Sequence, residues 1–275
     1  MKDTLIRQSF LGTKSDEILN STFVAVLGLG GAGSHVVQQL SHVGIGTIAT
    51  SDPDKAELSN LNRLVGATYW DALKARRKTD IAARRARAVN RSMRVKRFPV
   101  KWQEAMYELR DADVVVSCVD SYSERAQIEA FARRYLIPCI DIGMDVHDLR
   151  DHFVIAGQVA VSMPGDLCFR CLGIITEDDL AKEQYGAAGG NPQVVWSNGV
   201  LASVAVGLLV EMVTPWFRPG PSSTVLRYDG NHHTIAPDSA VEYIRGSQCP
   251  HFASDDVGDP HAFWIALSSA KPSSS

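Results

Sequence analysis

The sequence predicts an α/β protein with a doubly wound, mainly parallel sheet that antiparallel strands extend, with helices on both faces. Two observations predict the parallel part. A glycine-rich turn at residues 28–33 joins an apolar run to a segment of helical periodicity, and residues 113–120 and 137–141 are apolar runs typical of strands buried on both faces. A third observation is that residues 153–162 and 223–229 form longer strand-like segments, which we expect to be antiparallel additions.

The other elements are predicted from periodicity and from helix-end signals. After the glycine turn, Val36 and Leu40 recur on one helical face, and residues 78–90 form a second helix that Asn90 can end. Residues 64–73 show neither pattern and are expected to form an irregular crossing segment between the glycine-turn unit and the helix at 78–90. Further strands are expected at 24–29, 47–50 and 94–100, and further helices at 15–19, 121–135 and 192–213.

Composition limits the class of protein. The 275 residues, 45% of them hydrophobic, are enough for one large core. The formal net charge of −3 gives no global sign of nucleic-acid or anionic-membrane binding, so we expect neither partner. Residues 194–216 are apolar, but Asn198 and Glu211 interrupt them, which favours a buried helix over a membrane span.

Compartment and domain boundaries follow from the ends of the chain and from its cysteines. Residues 1–21 lack the apolar core of a signal peptide, and five cysteines, an odd number, favour a reducing cytoplasm. We expect an N-terminal arm at 1–21, one main domain at 22–246, and a metal-ligand segment with a disordered tail at 247–275. Within the main domain, the loop 177–196 is expected to cross over the binding cleft.

The glycine turn has the spacing of a nucleotide-binding loop in a Rossmann-like fold. Glycines let the backbone approach a phosphate closely, and the helix that follows offers unpaired N–H groups; the four positions are Gly28, Gly30, Gly31 and Gly33. Asp52 comes about 20 residues later, where a carboxylate accepts hydrogen bonds from ribose hydroxyls. The motif alone is weak evidence, and an NAD(P)-dependent oxidoreductase is its commonest owner.

The residues after Asp52 favour a triphosphate over a dinucleotide. They supply a second carboxylate, two amides and a guanidinium, at Asp54, Asn60, Asn62 and Arg63. Hydride transfer has no use for this set, whereas a site for a triphosphate and its magnesium does. Asp120 ends a buried strand and should therefore lie in the same cleft.

Four metal-type ligands occur in two short motifs, Cys168-Phe-Arg-Cys171 and Cys249-Pro-His251. Together they can form a tetrahedral Cys₃His zinc site, a zinc knuckle. A redox CxxC pair and unrelated core cysteines are the alternatives, although a redox pair normally opens a helix after a strand, and this one does not. Cys118 and Cys139 lie in predicted buried strands and are expected to be core residues.

In combination these motifs resemble the ThiF/MoeB/HesA adenylating enzymes, relatives of the ubiquitin-activating enzymes. The resemblance rests on the glycine loop, Asp52-x-Asp54, residues 59–63, a lysine opening the next helix, Asp120 with Arg125, and the CxxC pair. It implies ATP, Mg²⁺ and Zn²⁺, with Asp52 on the ribose, Asp120 on magnesium, and Asn60, Arg63 and Lys78 on the phosphates. Lys74 is the competing choice for the lysine.

The resemblance also implies a partner and an assembly. Arg7 resembles an arginine that reaches across a twofold axis into the neighbouring site, which implies a homodimer. The substrate would be the C-terminal glycine carboxylate of a ubiquitin-like or sulfur-carrier protein, converted to an acyl-adenylate with release of pyrophosphate. Residues 177–196 lack the catalytic cysteine of many relatives, and Cys249-Pro-His251 stands where a second CxxC is usual. The alternatives are ATP-dependent activation of a carboxylate on tRNA or a small molecule, and the NAD(P)-dependent oxidoreductase.

Overall fold

A computed structural model describes residues 5–184, 192–217 and 222–252. Residues 185–191 of the predicted crossover loop and the predicted tail from residue 253 onward lie outside this part. Within it, the backbone forms an eight-stranded sheet in the order β3-β2-β1-β4-β5-β6-β7-β8. The strands are β1 Phe23–Leu27, β2 Thr47–Ser51, β3 Arg94–Phe98, β4 Val114–Ser117, β5 Cys139–Asp148, β6 Phe153–Ser162, β7 Thr224–Asp229 and β8 Thr234–Pro237.

The sheet confirms the predicted fold class. β3, β2, β1, β4 and β5 pair in parallel, and β5 to β8 pair antiparallel. Strand order reverses between β1 and β4, because the chain runs outward from β1 to β3 and then returns to the other side of β1. In open α/β sheets such a switch point leaves a crevice at the carboxyl ends of the strands, where ligands bind.

Helices cover both faces of the sheet. In the described residues they are α1 Ser15–Ser21, α2 Gly31–Val43, α3 Tyr69–Leu73, α4 Lys78–Val89, α5 Met106–Leu109, α6 Tyr122–Arg134, α7 Glu177–Gln184, α8 Val195–Val213 and α9 Ser239–Ile244. α2, α4 and α8 share one apolar core with Val24 and Val26 of β1. α5 and α6 share the other core with Ala25 and Leu27. Successive residues of β1 thus point to opposite faces, as the two-residue period of a strand requires.

Several elements differ from expectation. α5, α7 and α9 were not expected, and α7 lies within the segment 177–196 that was expected to be a loop. β5 has ten residues instead of five, since its second half, from Met144 onward, pairs with β6 although these residues are only partly buried or exposed. β8 was not expected, because it is a short edge strand with little apolar pattern. α3 forms within the segment expected to be irregular, and a reciprocal pair of Thr68 and Asp71 hydrogen bonds caps its first turn.

Among the described helices, α8 is the one that is long and apolar enough to cross a membrane, judged by length and composition alone. It packs against α2, β5 and β6, and Leu201, Ala205 and Leu209 are buried in the core it shares with α2. These contacts agree with the expectation that the segment is a core helix.

Candidate nucleotide site

A cavity of about 510 Å³ opens at the switch point, at the carboxyl ends of β1, β2 and β4. Most of the predicted site residues line it, together with several that were not predicted. The predicted ones are Gly28, Gly30, Gly31, Asp52, Asp54, Asn60, Arg63, Lys78 and Asp120, with Arg125, which the family resemblance includes; the others include Lys101, Trp102, Glu124, Gln193 and Asn198. Gly33, Asn62 and Arg7 do not line it.

The glycine loop is held by close backbone approaches. Gly28 has a φ of 85°, and a Cβ there would lie 2.6 Å from the carbonyl oxygen of Cys118. A Cβ on Gly33 would collide with the Gly28 carbonyl, so this position requires glycine for the loop and the start of α2 to pack together. Gly30 precedes α2 without a side-chain cap. The first N–H groups of the helix therefore face the cavity as an anion-binding end.

Asp52 is almost fully buried and braces the glycine loop. Its Oδ2 accepts a hydrogen bond from the Leu29 N–H (2.7 Å), and its Oδ1 accepts one from the Asp54 N–H (2.8 Å). Burial raises the pKa of this carboxyl, and the ammonium of Lys78 at 3.7 Å opposes the rise. The predicted ribose carboxylate thus also fixes the loop that would hold the phosphates.

Lys78 opens α4 and directs its ammonium into the cavity. Its Nζ lies 2.7 Å from Asp54 Oδ2, and its side chain is only 12% exposed. Asp54 in turn is largely exposed. Lys74, the competing choice, is an exposed residue at the end of α3 and does not line the cavity.

The segment after β2 is folded by its own polar side chains. Asn60 Oδ1 accepts from the Glu57 N–H (3.2 Å), and the Arg63 guanidinium donates to Asn62 Oδ1 and to the Ser59 carbonyl, both at 2.9 Å. These bonds aim Asn60 and Arg63 at the cavity and leave Asn62 outside its lining.

Asp120 is exposed at the mouth of the cavity, three residues after β4. Gln193, from the segment that enters α8, donates from Nε2 to Asp120 Oδ1 at 3.1 Å. Sequence reasoning missed this contact, because no motif joins residues 73 positions apart. Glu124 was also missed; burial raises its pKa and Lys101 opposes the rise.

A buried ion pair lies under the end of β4. Arg125 Nε is 3.5 Å from Asp141 Oδ1, and both side chains are buried. The Ser117 hydroxyl donates to the same carboxylate at 2.7 Å, while Arg125 also donates to the Val119 carbonyl at 3.3 Å. Burial raises the pKa of Asp141, and Arg125 opposes this. The pair fixes the backbone that carries Asp120.

Arg7 lies in a 3₁₀ helix, Ile6–Leu11, and its side chain is exposed. It does not line the cavity of its own chain. Its action across a twofold axis stays a prediction.

The four predicted zinc ligands come together. Cys168 and Cys171 Sγ are 3.7 Å apart, Cys171 and Cys249 Sγ are 3.6 Å apart, and His251 Nδ1 is 3.4 Å from both Cys168 and Cys171. Tetrahedral ligands at the usual Zn–S length of about 2.3 Å lie about 3.8 Å from one another. The donor set and its spacing fit a zinc ion.

The CxxC pair lies in a turn rather than at the start of a helix, which disfavours the redox alternative. Cys139 is buried and Cys118 is partly buried beside the glycine loop. Burial raises the pKa of both thiols, so neither is a reactive thiolate at neutral pH.

The ThiF family model matches residues 3–250 of the chain. The chain belongs to the ThiF family. One ThiF-family relative is a sulfur carrier protein adenylyltransferase of Thermus thermophilus, 31% identical over 170 residues that cover 59% of each chain. Another is a ubiquitin-like modifier-activating enzyme 5 of Drosophila ananassae, 30% identical over 173 residues, 58% of this chain and 41% of the relative. The chain thus spans between two fifths and three fifths of the length of these relatives.

Solved structures share the fold. The Microcin C7 biosynthetic enzyme MccB in complex with N-formylated MccA superposes with a TM-score of 0.72 at 19% identity, over 88% of this chain and 70% of MccB. PaaA superposes with a TM-score of 0.65 at 21% identity, over 86% of this chain and 72% of PaaA. Both agree with the ThiF-family sheet described above.

Proposed function

We propose that this ThiF-family chain is an ATP-dependent adenylyltransferase that activates a carboxylate. The observation that carries the proposal is the convergence, in one cavity, of the α2 N-terminus, the cations Arg63 and Lys78, and the carboxylate Asp120. Cations and helix N–H groups bind phosphate, and an exposed carboxylate beside them binds the accompanying metal. Hydride transfer by an NAD(P) oxidoreductase requires neither the cation pair Arg63 and Lys78 nor the carboxylate Asp120.

Each residue has a proposed role in holding ATP. Asp52 and Asp54 lie at the ribose side, and the backbone of the glycine loop, at Gly28, Gly30, Gly31 and Gly33, approaches the phosphates. Asn60 and Arg63 contact the phosphates, with Asn62 orienting Arg63 through its 2.9 Å hydrogen bond. Lys78 contacts the same phosphates from α4. Arg7 of a second copy would add a further positive charge at the phosphates, so we propose that the enzyme is a homodimer.

The residues present fit a magnesium ion. Asp120 supplies a hard oxygen ligand at the cavity mouth, which is the ligand type that Mg²⁺ prefers. When bound, the ion would neutralise phosphate charge. Arg63 and Lys78 add fixed positive charge at the same place, so that a carboxylate can approach a phosphate that would otherwise repel it.

The reaction needs no side-chain nucleophile. A substrate carboxylate oxygen forms a bond to the α-phosphorus of ATP, and the bond from that phosphorus to the bridging oxygen of the β-phosphate breaks. Pyrophosphate leaves with the bonding electron pair, and the acyl-adenylate remains. Residues 177–196 contain no cysteine, so we propose that the chain stops at the adenylate.

The substrate is proposed from the relatives. Their names describe a sulfur carrier protein and a ubiquitin-like modifier. We therefore propose a ubiquitin-like or sulfur-carrier protein with a C-terminal glycine as the partner, with residues 22–246 as the adenylation domain. A cytoplasmic location accords with five free cysteines.

We also propose that Cys168, Cys171, Cys249 and His251 hold a structural zinc ion. The ion would join two segments about 80 residues apart, because Cys249 and His251 come from the end of the described chain. Structural zinc sites stabilise folds by this kind of cross-link.

The test is ATP–pyrophosphate exchange with candidate carrier proteins that end in glycine. We expect exchange in the wild type and its loss in Lys78→Met and Asp120→Ala, while Lys74→Met retains it. Mixing Arg7→Ala with Arg63→Ala chains should restore part of the activity if Arg7 acts across the dimer. Binding of NADH in place of ATP, measured by calorimetry, would overturn the proposal.

A further inference from the structure

The segment that enters α8 bridges the two sides of the cavity. Gln193 donates from its side-chain Nε2 to Asp120 Oδ1 (3.1 Å), and its main-chain carbonyl accepts from Asn62 Nδ2 (3.3 Å). Asp120 follows β4, whereas Asn62 follows β2, and β1 separates these two strands. Gln193 therefore connects the proposed metal carboxylate to the proposed phosphate-binding segment.

The backbone that carries Gln193 is fixed on its other side as well. The next carbonyl, that of Val194, accepts a hydrogen bond from Asn198 Nδ2 at 2.9 Å. The Asn198 amide packs against Gly31 of the glycine loop so closely that a Cβ on Gly31 would collide with it. The backbone position of Gln193, from which its side chain reaches Asp120, is thus fixed by these contacts.

The hydrogen bond uses one oxygen of an exposed carboxylate. Oδ1 of Asp120 accepts from Gln193, and Oδ2 takes no hydrogen bond from the part of the chain that the structure describes. A carboxylate that coordinates a cation is commonly oriented by a hydrogen bond to its other oxygen, and loss of such a partner weakens metal binding about 10- to 100-fold.

We infer that Gln193 is a positioning residue for Asp120 and that it sets the magnesium requirement of nucleotide binding. This inference rests on the proposed function, since it takes Asp120 as the magnesium ligand. The Gln193 amide holds the carboxylate in one orientation before the ion arrives. The Asp120 side chain then loses its conformational entropy when the chain folds, so this loss does not reduce its affinity for the metal.

The test compares Gln193→Met with the wild type. Methionine keeps the side-chain length and the main-chain carbonyl but removes the donor. Calorimetry would measure binding of α,β-methylene-ATP without metal and over a series of MgCl₂ concentrations. We expect the MgCl₂ concentration for half-maximal enhancement to rise about tenfold or more in Gln193→Met. Affinity without metal should stay unchanged.

Gln39→Met is the matched control. Gln39 donates from the same atom type over the same 3.1 Å, to Ser203 Oγ of α8, and it does not line the cavity. This variant should leave both binding curves unchanged.

Two results would overturn the inference: a Gln193→Met magnesium curve that superposes on that of the wild type, or an equal loss of affinity with and without metal. In either case magnesium-dependent binding by the wild type would leave the proposed function standing. A wild type that binds no nucleotide would overturn both.

Discussion

Asp71→Asn should be markedly destabilising, because the Asp71 carboxylate is buried and fully engaged in hydrogen bonds. Asp71 caps α3 and is 3% exposed, and its two oxygens accept from the Arg84 guanidinium at 2.7 and 2.6 Å. The Thr68 N–H and hydroxyl donate to Oδ2 as well, at 2.9 and 2.7 Å. Asparagine keeps one acceptor for Thr68 but turns an N–H₂ group toward the guanidinium.

The magnitude follows from these contacts. Removing one partner of a buried ion pair costs about 3–5 kcal/mol. Arg84 is 42% exposed and can be rehydrated, so we expect the lower figure of about 2–3 kcal/mol. Asp80→Asn is the control. Asp80 bonds one arginine, Arg97, at 2.6 Å, and both side chains are more than 40% exposed, whereas the buried Asp71 has a second arginine, Arg76, at 3.4 Å. The cost of Asp80→Asn should be about 0.5 kcal/mol or less.

The pH dependence gives an independent check. The hydrogen bonds from Arg84 hold the pKa of Asp71 well below its usual range, against the effect of burial. The stabilisation is therefore fully present above the unfolded pKa, about 4, and is lost as pH falls toward the folded pKa. Urea titrations should show a constant Asp71→Asn penalty from pH 7 to about 5, shrinking by about 1.4 kcal/mol per pH unit below pH 4. Equal penalties for Asp71→Asn and Asp80→Asn, or a penalty that is the same at pH 7 and pH 3, would show that the buried Asp71–Arg84 pair contributes no such stability.

Two further predictions concern the glycine loop and the cysteine cluster. Gly33→Ala should lower the free energy of unfolding by about 1–3 kcal/mol in urea titrations, because its Cβ meets the Gly28 carbonyl. Gly30→Ala, whose Cβ would have nothing within 4 Å, should cost less, namely only what alanine costs at the N-cap of α2. Metal analysis should find about one zinc per chain in the wild type and none in Cys171→Ser. A chelator should lower the urea midpoint of the wild type but not that of the variant. A wild-type midpoint that the chelator leaves unchanged would argue against structural zinc.

The sequence predicts the central strands β1, β2 and β4 well because they are almost fully buried, and continuous burial leaves a nearly continuous run of apolar and small residues. β4 is an example, since all four of its residues are buried. β3 is mostly exposed and carries an alternating pattern of apolar and basic residues instead. The glycine loop is equally predictable, because Gly28 needs a positive φ and Gly33 needs the absence of a Cβ. These are local requirements that residue type alone can reveal.

The contacts of Gln193 and of the Asp141–Arg125 pair were not predictable. Both depend on where distant segments meet, and a glutamine before a helix or an aspartate in a strand has many more common roles. The second half of β5 escaped for a different reason. Its residues from Met144 onward are only partly buried or exposed, so its pattern resembles a loop until β6 is seen beside it.

The Lys78 ion pair leads to the final prediction, which separates two roles for Asp54. Lys78 is held at 2.7 Å by Asp54, whose side chain is 64% exposed, and at 3.7 Å by Asp52, which is 6% exposed. A triphosphate must compete for this ammonium. Asp54 can turn into water at little cost, whereas Asp52 is fixed by its hydrogen bonds to Leu29 and to the Asp54 N–H.

If Asp54 only competes with phosphate for Lys78, Asp54→Asn should strengthen metal-free binding of α,β-methylene-ATP. An exposed pair contributes about 0.2–1 kcal/mol, which corresponds to roughly 1.5- to 5-fold in affinity. If Asp54 instead contacts the ribose or the metal, as its place in the motif suggests, the same substitution should weaken binding. Calorimetry distinguishes the two roles by the direction of the change. Measurements with and without MgCl₂ then separate a ribose contact, whose loss weakens binding equally in both, from a metal contact, whose loss weakens binding only when MgCl₂ is present.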